Sequence, residues 1–337
     1  MSNFVLIEKK NKVGLITLNS PATLNALNLE MIITMTNALL DWEKDPSVSQ
    51  VVITSNSPKA FCAGGDVVSL YEAMVAKKPA GDFFKYEYDL DLLIHKYKKP
   101  IICFTDGIIM GGGIGIMNGC SHRIVTEKSI LAMPEITIGL FPDVGGTYFL
   151  NKMPKHMGLF FALSGARIGY GDAIYLKLAD HYVESQSLPA LLDEILLGLH
   201  DLREILSKYE KKATSEVKHK ADEIIQLANF EDVLELDKFW RSYESADPWI
   251  QKAINTYKKG SPTSEAVIFE QLKRGEGLTI EEAFAMELKM ARQFTLHHDF
   301  AEGIRALLID KDQKPNWDPK TIDKVTDELI KEHFKEI

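Results

Sequence analysis

Two acidic residues lie close together in a stretch, Met133 to Thr147, that is otherwise mostly apolar. Glu135 and Asp143 each follow a proline, and two glycines come soon after Asp143. An ionised carboxylate in apolar surroundings is costly unless it is paired or hydrogen-bonded, and burial raises its pKa. Two such groups close together are what acid–base or nucleophilic carboxylate chemistry requires. Taken alone, the stretch also fits structural roles, with Asp143 as a helix N-cap and Glu135 in a solvated turn.

Two glycine-rich turns each follow a predicted buried strand. The first spans residues 60–66, and the second begins at Gly111-Gly112-Gly113 and continues into an apolar helix. Small residues let a ligand approach the backbone closely, and the first turn of a helix presents unpaired N–H groups at the positive end of its dipole. Such turns suit an oxyanion or another anionic group. A tight turn with Asp66 as a helix cap, and a close helix–helix contact at the second turn, are the alternatives.

Composition and charge narrow the class of protein. The chain has 337 residues, of which 45% are hydrophobic and 26% are charged, as in ordinary soluble globular proteins. Its net charge is −9 and its basic residues are interspersed with acidic ones, which argues against nucleic-acid binding. The most apolar stretch, residues 108–117, is too short to span a bilayer. Neither a nucleic acid nor a membrane is therefore expected as a partner.

The three cysteines, Cys62, Cys103 and Cys120, lie far apart and are odd in number. They show no zinc spacing, and their small or apolar neighbours predict buried thiols in a reducing compartment. The N-terminus has no basic region, no cleavable apolar segment and no Arg-rich transit pattern. We therefore expect a cytoplasmic protein without a metal site, although a mature organellar form would look the same.

The predicted elements place the glycine turns on one side of a sheet. Apolar and β-branched runs predict strands at residues 4–9, 13–18, 51–54, 101–104, 122–125 and 130–133. Helical periodicity predicts helices at residues 29–42 and 82–97 and a mainly helical chain from Gly145 onward. Within the second helix Glu87 lies among aromatic residues, and the pattern alone predicts a half-exposed position. The repeated order of strand, turn and helix indicates an α/β core with a site at the strand ends.

The C-terminal part is predicted to consist of amphipathic helices. They are expected at residues 230–243, 248–258, 261–272, 280–295 and 322–334, and residues 188–209 are leucine-rich with charges interleaved. Ser261 and Thr279 provide N-terminal caps. The adjacent His297 and His298 point different ways on a helix, so capping or loop contacts are expected there instead of a metal pair. We predict a core with the active site over residues 1–195 and a helical region over residues 196–337 that packs over it.

In this order, the motifs resemble the crotonase (enoyl-CoA hydratase/isomerase) superfamily, and are most similar to its 3-hydroxyisobutyryl-CoA hydrolase subfamily. The superfamily resemblance rests on residues 61–66, 111–113 and 133–135. The subfamily resemblance rests on residues 139–146 and 298–312, with Pro315-Asn316-Trp317 just beyond. The resemblance covers nearly the whole chain. It implies a spiral of ββα units followed by helices that close over the site.

The resemblance also implies an acyl-CoA substrate and a role for each matching residue. The backbone N–H groups of Gly65 and Gly112 match an oxyanion hole for a thioester carbonyl, and Glu135 matches the catalytic glutamate. Asp143 matches the second catalytic carboxylate of the hydrolase subfamily, and Glu87 resembles its additional active-site glutamate. The other residues predicted to bind substrate lie in the two turns: Cys62, Ala63, Gly64, Asp66 and Gly111. No cofactor is implied, because CoA arrives as part of the substrate.

Position 115 separates hydrolases from hydratases within this resemblance. Enoyl-CoA hydratases carry a second glutamate just after the triple glycine, where this chain has Gly115. The resemblance therefore implies hydrolysis of a short-chain 3-hydroxyacyl-CoA thioester, most specifically 3-hydroxyisobutyryl-CoA in valine catabolism. Glu135 would either attack directly or activate water. An enoyl-CoA hydratase or isomerase and a non-catalytic acyl-CoA-binding protein are the alternatives.

The oligomeric state follows from the resemblance alone. Trimers and hexamers are common in the superfamily, so a homo-oligomer is an expectation for this chain. The long helical C-terminal region offers a different arrangement, in which it covers the chain's own site.

Overall fold

Residues 3–198 and 201–336 are described by a computed structural model, and the chain divides into two compact units. Unit 1 comprises the chain up to Gly65, Asp89–Leu131 and Ile168–His219. Unit 2 comprises Asp66–Tyr88, Ala132–Arg167 and the chain from Lys220 onward. Each unit therefore draws on three separate stretches of sequence. The predicted division at residue 195 remains a prediction.

Unit 1 contains the larger sheet and nearly all of the smaller one. The strands of the described residues are β1 (Val5–Lys10), β2 (Val13–Leu18), β3 (Gln50–Ser55), β4 (Ala60–Cys62), β5 (Ile101–Thr105), β6 (Ile108–Met110), β7 (His122–Val125), β8 (Ile130–Ala132), β9 (Ile168–Gly169) and β10 (His181–Tyr182). The larger sheet has the order β1-β2-β3-β5-β7-β10, and the smaller one has the order β4-β6-β8-β9. In the larger sheet β1 runs antiparallel to β2 and the other pairs are parallel. The predicted strands and hairpin are confirmed.

Helices connect and follow the strands. They are α1 (Leu29–Lys44), α2 (Val67–Val75), α3 (Gly81–His95), α4 (Gly112–Gly119), α5 (Gly146–Asn151), α6 (Gly158–Ser164), α7 (Tyr170–Tyr175), α8 (Leu188–Leu197), α9 (Leu202–Tyr209), α10 (Glu216–His219), α11 (Ala221–Ala228), α12 (Val233–Ser242), α13 (Pro248–Tyr257), α14 (Pro262–Arg274), α15 (Ile280–Phe294), α16 (His298–Ile304) and α17 (Asp327–Glu332). The alternation of parallel strands and helices, followed by a helical C-terminal region, confirms the predicted α/β class. Among the described residues, no helix is long and apolar enough to cross a membrane.

The sheet of unit 1 packs against helices of the same unit. Leu191 and Ile195 of α8 and Ile205 of α9 form one buried cluster with Val52 and Ile102 of the sheet. The leucine-rich stretch at residues 188–209 contains these two helices. Gly198 ends α8 in a left-handed conformation and the Asp201 side chain caps α9. Residues 199 and 200 of this stretch lie outside the described residues.

Unit 2 confirms the predicted helix caps. The Ser261 hydroxyl accepts a hydrogen bond from the backbone N–H of Ser264, and Thr279 forms a capping box with Glu282. The terminal helix predicted over residues 322–334 is wrong in its extent, because a short 3₁₀ helix, Ile322–Lys324, precedes α17. Thr326 caps α17 and so starts a separate helix there.

Candidate active site

In unit 1 the two glycine turns start from neighbouring strands. β4 and β6 pair in parallel, so the turns that follow them emerge at the same edge of the smaller sheet. Gly64 has a φ of +114° and Gly111 a φ of +45°, backbone conformations that favour glycine. Leu27 bridges to Gly65 and its N–H donates to the Gly64 carbonyl at 2.8 Å.

Gly113 brings the first turn of α4 against the end of β4. A Cβ atom at this position would lie 2.4 Å from the Cys62 carbonyl oxygen, so only glycine permits this approach. Gly112 is the first residue of α4, where N–H groups have no partner within the helix. The second predicted turn is therefore a helix N-terminus packed against the first turn.

In unit 2 both acidic residues of the stretch from Met133 to Thr147 are buried. Glu135 begins a 3₁₀ turn, Glu135–Ile138, and is 6% exposed. Asp143 is 5% exposed, and the N-cap of the following helix α5 is Gly145. The alternative interpretations, a solvated turn for Glu135 and a helix cap for Asp143, are therefore wrong.

Glu87 joins these two carboxyls in unit 2. It is buried, so the half-exposed position suggested by the helical pattern is wrong. Burial and then the charge of Asp143 raise the pKa of Glu87 well above its usual value, and the same causes raise that of Glu135. Oε1 of Glu87 and Oε2 of Glu135 are buried and have no hydrogen-bond partner among the described residues. The three carboxyls thus form one electrostatically linked group, and it has oxygens left free for a ligand.

Tyr88 distinguishes Asp143 from its neighbours. Its hydroxyl donates a hydrogen bond to Oδ2 of Asp143 at 2.7 Å. Burial raises the pKa of Asp143 to about 6, and the hydrogen bond from Tyr88 opposes this rise. Tyr88 is itself buried, with its ring against Phe84 and Phe284. The group therefore contains carboxyls in different environments, a pattern that permits one to hold a proton while another is ionised.

The turn that carries Glu135 is held by later parts of unit 2. The Ser261 N–H donates to the Ile136 carbonyl at 3.3 Å. Gly139 ends the turn with a φ of +69°, and a Cβ there would lie 2.4 Å from the Asp299 carbonyl oxygen. Asp299 is fixed in turn, because its carboxylate accepts hydrogen bonds from the Ser261 hydroxyl and the Asp318 N–H. The C-terminal region thus contributes to the placement of Glu135.

The remaining predicted residues have mixed outcomes. Asp66 caps α2, accepting from the Ser69 N–H at 3.2 Å and from its hydroxyl at 2.6 Å. Asp66 is therefore a helix cap, the alternative role considered for it above. A role of Asp66 in substrate binding stays a prediction. Ala63 is partly exposed and Cys62 is buried. All three cysteines are buried and form no disulfide, as predicted.

Four residues that contact residues 133–147 were not assigned a role from the sequence. They are Tyr88, Gln271, Glu287 and Asp299. Glu287 and Gln271 are buried polar residues on the apolar faces of α15 and α14. A carboxylate or amide within an apolar helical stripe is unusual, since such groups are costly to bury without partners. This signal was present in the sequence, but it does not identify the partner.

Comparisons with known proteins agree with the fold and the motifs. Residues 13–334 match the sequence pattern of the Enoyl-CoA hydratase/isomerase family. Curated relatives named "3-hydroxyisobutyryl-CoA hydrolase, mitochondrial" include one from Homo sapiens, 37% identical over 99% of this chain and 89% of that protein. Another, from Gallus gallus, is 36% identical over 98% of this chain and 88% of that protein.

Solved structures with similar folds carry different names. A carnitinyl-CoA dehydratase from Mycobacterium thermoresistibile is 32% identical with a TM-score of 0.93, covering 100% of this chain and 97% of that one. An enoyl-CoA hydratase from Rhodobacter sphaeroides is 36% identical with a TM-score of 0.92, covering 99% of this chain and 98% of that one. The predicted crotonase-like fold is confirmed.

The chain belongs to the enoyl-CoA hydratase/isomerase family, the crotonase superfamily. The names of the curated relatives place those proteins in mitochondria. They give no support to the cytoplasmic location expected for this chain, which stays a prediction.

Proposed function

We propose that the protein is an acyl-CoA thioester hydrolase that converts 3-hydroxyisobutyryl-CoA to 3-hydroxyisobutyrate and CoA, a step of valine catabolism. The observation that carries the proposal is the buried group of Glu135, Asp143 and Glu87 in unit 2. The names of the curated relatives support the same reaction. No cofactor enters this proposal, because CoA is part of the substrate.

The proposed reaction begins with stabilisation of the thioester carbonyl. Attack at the carbonyl carbon places negative charge on its oxygen, and the N–H groups of Gly65 and Gly112 would bind that oxygen. One such donor typically contributes about 3–4 kcal/mol. Glycine is required next to them because a side chain would obstruct the approach of the backbone to the ligand.

Glu135 would attack the carbonyl or activate the water that does so. In the first route an anhydride forms, the C–S bond breaks and CoA leaves as the thiol after taking up a proton; water then hydrolyses the anhydride. In the second route water attacks the carbonyl carbon and gives a proton to Glu135, the C–S bond breaks, and CoA leaves as the thiol after taking up that proton. Asp143 would orient the water or carry the proton, and Glu87 would tune the charge of the pair.

Hydration of an enoyl-CoA is the second candidate, because the two solved structures described above are named as a hydratase and a dehydratase. Gly115, within α4, argues against this reaction. The second glutamate that the resemblance to hydratases calls for is missing at this position.

Two assays on the purified protein separate these reactions. Thiol release from 3-hydroxyisobutyryl-CoA, measured with a thiol reagent, is expected to exceed the loss of enoyl absorbance on crotonyl-CoA. A panel of other short acyl-CoAs then defines the acyl preference. Rapid hydration of crotonyl-CoA without thiol release would overturn the proposal, and binding of acyl-CoA without either reaction would favour a non-catalytic role.

The oxyanion-hole proposal predicts a specific effect at Gly113. Gly113→Ala is expected to lower kcat for thiol release by about 10²–10³-fold, the usual effect of losing one oxyanion donor. The added Cβ would lie 2.4 Å from the Cys62 carbonyl oxygen, so the first turn of α4 and the Gly112 N–H must move.

A control for this variant is Gly169→Ala. A Cβ at Gly169 meets nothing within 4 Å, so kcat and melting temperature should stay close to those of the parent. A folded Gly113→Ala protein with the parent's kcat would show that the Gly112 N–H does not bind the oxyanion.

A further inference from the structure

The segment that carries Asp143 contains two consecutive residues in left-handed conformations. Val144 has a φ of +51° and Gly145 a φ of +84°. A β-branched residue rarely adopts a positive φ, and such strain persists only where the surrounding structure holds it. The segment between Pro142 and Thr147 therefore needs fixed partners in unit 2.

Glu287 on α15 holds the C-terminal side of this segment. Its Oε2 accepts a hydrogen bond from the Gly145 N–H and its Oε1 accepts one from the Thr147 N–H, both at 2.8 Å. These N–H groups lie at the start of α5, where they have no partner within the helix. Since Glu287 is fully buried, water does not compete for these bonds.

Gln271 on α14 holds the N-terminal side. Its Nε2 donates to the Pro142 carbonyl oxygen at 2.7 Å and to the Thr147 hydroxyl at 2.8 Å. Pro142 directly precedes Asp143, so the backbone is fixed on both sides of this residue. Gln271 is also fully buried. Both partners come from helices more than a hundred residues further along the chain.

The position of Glu287 is costly by itself. Burial raises its pKa to about 8, the hydrogen bonds from Thr147 and Gly145 oppose this rise, and the charge of Asp143 adds to it. A buried carboxyl close to other carboxyls is costly, and acceptance of two backbone N–H groups by its two oxygens offsets part of that cost.

We infer that Glu287, with Gln271, is a positioning residue for Asp143. The two side chains fix the backbone from which Asp143 reaches the Tyr88 hydroxyl, and neither is required to touch the reacting atoms. The effect of Glu287 on the reaction rate rests on the proposed thioester hydrolysis. Its effect on the order of residues 142–147 does not depend on that proposal.

The test compares two substitutions with a matched control. Glu287→Gln keeps the size of the side chain but turns an amide NH₂ toward one of the two N–H groups, and Gln271→Met removes both Nε2 bonds. Glu265→Gln is the control, because Glu265 is also a fully buried glutamate on a helix of unit 2, and its partner is Arg241 at 3.2 Å. Hydrogen exchange of peptides covering residues 140–150 and steady-state thiol release are measured on each full-length protein.

Faster amide exchange at residues 140–150, by about tenfold or more, is expected in Glu287→Gln and Gln271→Met but not in Glu265→Gln. The kcat should fall about tenfold or more in the first two variants with KM within about threefold, because loss of orientation acts on the reacting state. Glu265→Gln should leave kcat close to the parent value.

Three outcomes would overturn the inference. The first is that amide exchange at residues 140–150 is unchanged in Glu287→Gln. The second is that exchange becomes faster but kcat does not change. The third is that the Glu265→Gln control loses as much kcat as the two test variants. If Glu287→Gln does not fold, Gln271→Met decides by the same criteria. A parent protein that releases no thiol refutes the proposed function instead, and hydrogen exchange then decides alone whether Glu287 holds the segment.

Discussion

Glu135→Gln is expected to lower kcat for thiol release by about 10²–10⁴-fold, the usual contribution of a general base. A glutamine neither attacks a thioester nor accepts a proton from water at neutral pH. The substitution keeps the shape of the side chain, so substrate binding should change little and KM should stay within a few-fold of the parent value. Steady-state kinetics on 3-hydroxyisobutyryl-CoA measure both constants.

The same variant is expected to be as stable as the parent or more stable. The pKa of Glu135 is raised in the folded state, so the folded chain holds this proton more tightly than the unfolded chain does. Stability contributed by the protonated group is therefore lost as the pH rises from the unfolded pKa, about 4.3, through the raised folded pKa. Glutamine does not ionise. The melting temperature of the Glu135→Gln protein at pH 7 to 8 should therefore equal or exceed that of the parent.

Glu265→Gln is the matched control. This glutamate is also fully buried, and burial raises its pKa well above its usual value while the charge of Arg241 opposes the rise. We expect kcat to be retained in Glu265→Gln, whereas Glu135→Gln should lose kcat. A Glu135→Gln protein that hydrolyses thioesters as fast as the parent would remove Glu135 from the mechanism.

Local signals in the sequence predicted much of the fold. Ser261 and Thr279 mark helix starts because their hydroxyls reach N–H groups three residues away, a contact that depends only on neighbouring sequence. The same kind of signal explains one error. Thr326 starts a new helix within residues 322–334, which periodicity treated as a single helix. The capping residue outweighed the apolar pattern there.

The candidate site was predictable only in part, for a different reason. Glu87, Glu135 and Asp143 were found through their types and a family resemblance, and the structure brings them together in unit 2. Glu287 was missed because its partners are the N–H groups of Gly145 and Thr147, far away in the sequence. Periodicity places Glu287 on the apolar face of α15, but it contains no information about which backbone groups that face meets.

The pH dependence of hydrolysis is expected to show an acid limb near pH 6, above the ordinary carboxylate range. Burial raises the pKa of Asp143 to about 6, and the pKa values of Glu135 and Glu87 are also raised. Activity should therefore fall as the pH drops through this range, because the carboxyls that accept protons become protonated. The limb belongs to the coupled group and not to one residue alone. A profile of kcat/KM from pH 4.5 to 9 measures it.

Tyr88→Phe is expected to move this acid limb to higher pH by about one to two units. The Tyr88 hydroxyl stabilises the ionised form of Asp143, and a hydrogen bond to a charged group contributes about 1.5–3 kcal/mol, against about 1.36 kcal/mol for each pKa unit. Its loss raises the pKa of Asp143, so activity at pH 6 should fall most and activity above pH 8 should fall least. Tyr257→Phe is the matched control, since Tyr257 is a buried tyrosine that donates to Asp237 at 3.0 Å. If both variants show the same limb as the parent, ionisation of Asp143 does not control the rate.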